Sequence, residues 1–85
     1  MPTSQIETKL DFDQRLELAR RIVFRANFDS REYERLAAEL SQESGLAISK
    51  SMIAGYAAKL RAAILRPPGK DAGIAMVLRK IEAIP

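Results

Sequence analysis

Apolar residues along this chain recur at spacings of three and four and nowhere alternate convincingly with a period of two, so the pattern predicts helices and no strand. Leu16, Ala19, Val23 and Ala26 follow Phe12 at helical spacing, with Leu18 and Ile22 on the adjoining stripe, which places an amphipathic helix over 13–26. Asp11 or Asp13 can cap it, because a short carboxylate accepts a hydrogen bond from the free amides of a first turn. Asn27 and Phe28 break the pattern. Asp29, with Glu32 three residues on, resembles a capping box and opens a second helix, whose buried face is Tyr33, Leu36, Ala37 and Leu40 and which runs to Ser44. Gly45 is its natural stop, since glycine enters the left-handed conformation without a steric penalty.

After a short turn at 46–48, Ser49 is placed to cap a third helix carrying Met52, Ile53, Tyr56, Ala57, Leu60 and Ile64 on its apolar face. Arg66-Pro67-Pro68-Gly69 ends that helix, because a residue ahead of proline is pushed out of helical geometry. Ile74, Val77, Leu78 and Ile81 then predict a fourth helix over 71–83. The chain therefore reads as one all-α domain over 1–85 with about four helices.

Charge changes the picture more through its placement than through its total of +3. Residues 1–48 carry seven bases against nine acids, whereas residues 49–85 carry seven bases against only Asp71 and Glu82. No acid lies between Ser49 and Lys70. Such a segregation is the electrostatic footprint expected when one element faces phosphate and the rest is balanced. With no Cys and no His, disulfides, zinc fingers and thiol or imidazole nucleophiles are excluded. The acids are spread as caps and surface partners, with no Gly-rich phosphate loop and no metal-ligand spacing, so neither an enzyme nor a cofactor is expected. Neither a signal peptide nor a membrane span is legible, and the expected setting is the cytoplasm, with no membrane partner and no small-molecule ligand evident.

The second and third predicted helices form the informative pair. Leu36, Ala37 and Leu40 face Ile48, Ile53 and Tyr56 across the turn, while Ser49, Lys50 and Ser51 open the third helix at the end whose amides favour anions. Ala54, Gly55 and Ala58 keep the middle of its polar edge low, and Lys59, Arg61 and Arg66 continue the basic side. The stretch LAAELSQESGLAISKSMIAGYAAKLRAA, within 29–65, resembles the helix-turn-helix of bacterial and phage regulators and of transposase DNA-binding domains. It departs from the compact motif in having Ser41 after Leu40, where a turn glycine is often found, and in a longer approach to Ile48. The size and helical layout are also similar to those of small repressors of broad-host-range plasmids.

That resemblance implies double-stranded DNA as partner and a homodimeric transcriptional repressor on a palindromic operator. The DNA-contacting residues would be Ser49, Lys50, Ser51, Ala54, Gly55, Lys59, Arg61 and Arg66. The segment 71–85 is expected to be the dimerisation helix, its stripe covered by a partner's copy; the other possibility folds it back against Leu18 and Ile22. Arg20, Arg21 and Arg25 fit phosphate contacts or a solvated face paired with Glu17 about equally. The rival functions are a small protein-binding module, such as an antitoxin, phage inhibitor or adaptor, and a DNA-packaging or recombination accessory factor. A protein-binding module would show exposed aromatic anchors, and only Phe24 and Phe28 lack a clear place in the predicted core.

Overall fold

The computed structural model describes residues 5–65 and 72–83, and every element among them is helical. Five α-helices follow one another: α1 (Gln5–Lys9), α2 (Phe12–Arg20), α3 (Tyr33–Ser44), α4 (Lys50–Leu65) and α5 (Ala72–Glu82). Helix α1 is an addition to the predicted elements. At five residues it is too short to display a periodicity, and it forms because Ile6 and Leu10 are buried against the rest of the molecule.

Helix α2 begins with a reciprocal capping box: the Gln14 amide donates to Asp11 Oδ1 at 2.8 Å, and the Asp11 amide donates to Gln14 Oε1 at 3.0 Å. Of the two acids in contention, Asp11 is the cap. The helix continues into a π-helical stretch, Arg21–Ala26, whose wider turn has a packing reason. Leu18, Ile22 and Ala26 are all buried and spaced by four throughout, longer than the 3.6-residue α-helical period, so a widened turn keeps them on one line. The more deeply buried stripe is thus the one carrying Leu18 and Ile22, while Leu16 and Val23 are half-buried. Asn27 and Phe28 end the stretch with φ of 51° and 59°, and the Ile22 carbonyl accepts both their amides. Asparagine tolerates that conformation, but in phenylalanine it costs ~1–2 kcal/mol. Packing of the Phe28 ring against the core offsets the strain.

Asp29 caps the next segment through the Arg31 amide at 3.0 Å, opening a single 3₁₀ turn, Ser30–Glu32, that leads into α3. Glu32 does not close the expected box and pairs instead with Arg35 at 3.6 Å. Gly45 ends α3 at φ 74°, its amide bonded to the Ser41 carbonyl.

Helix α5 corrects the sequence-based expectation. Ile74, Val77 and Ile81 are buried in the same cluster as Leu18, Ile22, Tyr56 and Leu60, and α5 packs on α2 and α4 of its own chain. The stripe assigned to a dimer interface is therefore already covered, and the first three predicted helices do not complete a core without it. Packing α5 inward enlarges a core that a domain of this size otherwise builds only in part. Ile64, expected on the buried face of α4, is 52% exposed near the helix end, and Ala63 packs against the core instead.

Because α5 is core, Ile81→Ala should cost ~2–5 kcal/mol. Urea unfolding followed by circular dichroism should show the midpoint falling by the same amount across a wide range of protein concentration.

Candidate nucleic-acid interface

The corner between α3 and α4 sets how α4 is presented, and Ser41 holds it. Ser41 Oγ accepts the Ile48 amide and donates to the Ile48 carbonyl, both at 3.0 Å, so both backbone groups of a buried turn residue are satisfied by one hydroxyl. Ser44 Oγ adds a bond to the Leu40 carbonyl at 2.7 Å and accepts the Leu46 amide at 3.2 Å. Ser41 is thus the residue that ties the turn to α3. Its position in the last turns of an amphipathic helix gave little sign of that role.

Ser49 caps α4, accepting the Met52 amide at 3.3 Å, and its hydroxyl lies 3.0 Å from that of Ser51. Ile53, Tyr56, Ala57 and Leu60 are buried against the other helices. Tyr56 is core: it is fully buried and so inaccessible to a nucleobase, its hydroxyl has no hydrogen-bond partner among the described residues, and burial pushes its pKa up to about 12. The opposite side carries Ser51, Ala54, Gly55, Ala58 and Ala62, all exposed. It is a low ridge with no bulky side chain along three turns. Lys50 and Arg61 are exposed on one edge of that ridge, three turns apart, or about 16 Å along the axis.

Gly55 has a specific signature. A Cβ built there meets nothing within 4 Å, and its φ is not in the left-handed region. Neither packing within the chain nor backbone geometry asks for glycine, although glycine in a helix interior costs ~1 kcal/mol relative to alanine. Lys50 is a second position at odds with local stability. It is the first residue of α4, at the positive end of the helix dipole, with no acid in the first turn to compensate.

The other sequence-predicted site residues divide. Lys59 is half-buried on the far edge of α4 and paired with Glu7 of α1 at 3.2 Å, so it serves to dock α1 and not as a free phosphate ligand. Without α1 in view, nothing in the sequence signalled that partner. Arg66 lies outside the described residues. Arg20, Arg21 and Arg25 take the paired option. Arg21 forms a bidentate pair with Glu43 at 2.8 and 2.9 Å, Arg25 meets Glu39 at 2.6 Å, and Arg20 meets Glu17 at 3.6 Å. The hydrogen bonds to Glu43 raise the Arg21 pKa above its ordinary value, and the same bonds hold the Glu43 carboxyl below its own.

Arg31 and Arg35 are likewise paired, with Asp29 and with Glu32 and Glu39. Among the described residues the cations with no ion pair are Lys9 and Arg15 near the N-terminus and Lys50, Arg61, Arg79 and Lys80 in the second half. The segregation of charge in the sequence is thereby sharpened in three dimensions. No three acids cluster to hold a metal ion among the described residues, and no helix there is long and apolar enough to cross a membrane. Comparison with protein families, with characterised proteins and with solved structures finds no significant match.

Two substitutions test the local physics. Ser41→Ala leaves the Ile48 amide and carbonyl unpaired and should lower stability by ~1–3 kcal/mol in chemical denaturation. Gly55→Ala should do the reverse, raising stability by up to ~1 kcal/mol, since the added methyl meets no neighbour among the described residues.

Proposed function

We propose that this chain binds double-stranded DNA sequence-specifically and acts as a homodimeric transcriptional repressor on a palindromic operator, with α4 as its recognition helix. The observation that carries the reading is the contrast in cation pairing. The arginines of the α2–α3 side are matched to acids within the chain, whereas Lys50 and Arg61, along one edge of a bare ridge, have none among the described residues. A groove about 12 Å wide accepts a helix whose outer side chains are small, and cations about 16 Å apart along one edge of the helix reach phosphates spaced along one wall. Phosphate at the start of α4 would also relieve the unfavourable placement of Lys50 against the helix dipole.

In this reading Ser49, Lys50 and Ser51 meet base edges and phosphate at the groove floor and rim, Ala54 and Gly55 allow close approach, and Arg61 holds the backbone. Two copies follow from the chemistry of recognition, because one such helix reads only a few base pairs and two, ~34 Å apart, read successive turns of a palindrome. Repression follows from occupancy of a promoter and needs no catalytic group. The cytoplasm is the setting that such a task requires.

A protein-binding module is the second reading, and one observation favours it: Phe24 is a large aromatic left 63% exposed. Selection of bound fragments from random duplex DNA separates the two. A recovered palindrome supports the repressor, and recovery of no preferred sequence supports the module. On the selected site, Lys50→Ala and Arg61→Ala should each flatten the logarithmic salt slope of binding by about 0.9 for every phosphate the variant no longer neutralises. Arg20→Ala and Arg25→Ala should leave the slope unchanged. Gly55→Leu should weaken binding on every sequence while the protein remains folded.

A further inference from the structure

The surface around Phe24 has a composition that single exposed aromatics lack. Phe24 stands on the π-helical continuation of α2 and lines a shallow depression together with Glu17, Arg20, Arg21 and Arg25. The widened turn that keeps Ile22 and Ala26 buried leaves Phe24 facing outward. The surrounding charges are held in place: Glu17 pairs with Arg20 and Arg21, Arg21 with Glu43, and Arg25 with Glu39. The three bases are matched by three acids, so the patch offers a polyanion no uncompensated charge.

We infer that this face is the surface through which two copies of the chain associate, with α2 crossing its partner's α2 antiparallel and each Phe24 seated in the other's depression. The charge order along the helix supports a second copy as the occupant. Glu17 lies at one end of the patch and Arg25 at the other, two turns away, so a two-fold axis between them brings each acid against the other copy's base. Arg20 and Arg21, flanking the depression, offer guanidinium groups to the incoming ring. Side chains already fixed by ion pairs lose little further freedom on docking, and a central aromatic with a charged rim is the arrangement of an interface hot spot.

The alternatives on this chain are poorer. The α5 stripe is spent inside the core. The exposed side of α5 carries Met76 with Arg79 and Lys80, which form no ion pair among the described residues, so no charged rim is held in place there. The inference rests on the repressor reading in that a palindrome calls for two copies, and it leaves the outer ridge of α4 outside the contact.

The test uses the full chain without DNA. Sedimentation equilibrium should show a dimer for the wild type, a dissociation constant raised at least ~30-fold for Phe24→Asp and Phe24→Ala, and an unchanged dimer for Met76→Asp. Phe24 is 63% exposed, so both variants should keep the wild-type helix content by circular dichroism. A charge exchange adds a second readout: Glu17→Lys and Arg25→Glu should each dimerise poorly alone, and a mixture of the two should form a heterodimer. A wild type that stays monomeric at about 100 µM, a Phe24→Asp protein that stays dimeric, or a collapse of helix content in both Phe24 variants would overturn the inference. A mixture that associates no better than its components overturns the antiparallel pairing. Binding to duplex DNA is scored separately: a Phe24-dependent dimer that binds no DNA retains this interface and defeats the repressor reading, and the converse retains the reading and defeats the interface.

Discussion

A chain of 85 residues with no Cys and no His depends for its fold on the burial of helix stripes. That scarcity of core governs the rest of the molecule. It draws α5 inward, where Ile74, Val77 and Ile81 complete a cluster that the earlier helices leave open. It recruits Ile6 and Leu10, and with them α1, to cover one flank of α4. It also forces the continuation of α2, Arg21–Ala26, into a wider turn so that Leu18, Ile22 and Ala26, spaced by four, share one buried line. Net stability in small domains is of order 5–15 kcal/mol, and each fully buried aliphatic side chain contributes ~1.5–3 kcal/mol, so no stripe can be left idle.

What remains outside is then determined by what the core has taken. The inner side of α4 is buried, one flank is tied to α1 by Lys59 and Glu7, and the free surface is the ridge of Ser51, Ala54, Gly55, Ala58 and Ala62 with Lys50 and Arg61 beside it. Elsewhere on the surface, the α2–α3 arginines are neutralised by Glu17, Glu39 and Glu43. Exposed pairs of this kind add little stability one by one, but they leave that face electrically quiet. In the proposed reading the two faces take two different partners, phosphate on one and a second copy on the other.

The sequence revealed the elements whose physics is local. Four helices were legible because their stripes span several turns, and Asp11, Gly45 and Ser49 could be recognised as caps or stops from residue type and position. The start of the candidate site, Ser49 to Ser51, stands exposed at the beginning of α4 as its spacing implied. What escaped the sequence depended on partners distant along the chain. Helix α1 exists only by its packing, Lys59 loses its freedom to a residue 52 positions away, and the Ser41 bonds to Ile48 join groups whose separation is set by the turn itself. The α5 stripe was readable as apolar, but an amphipathic stripe carries no mark of whether its cover is its own chain or a copy. Phe24 went unplaced for a related reason: the π-helical turn that exposes it answers to Leu18, Ile22 and Ala26, not to any local propensity.

The central claim is that α4 meets duplex DNA through its outer ridge, and amide chemical shifts during titration with the selected duplex test it most directly. The account predicts that shifts move first and most at Ser49, Lys50, Ser51, Gly55 and Arg61, with little change at Arg20, Phe24 and Arg25. Perturbations centred on the α2 arginines, or a spectrum that duplex DNA leaves unaltered at low salt, would contradict it.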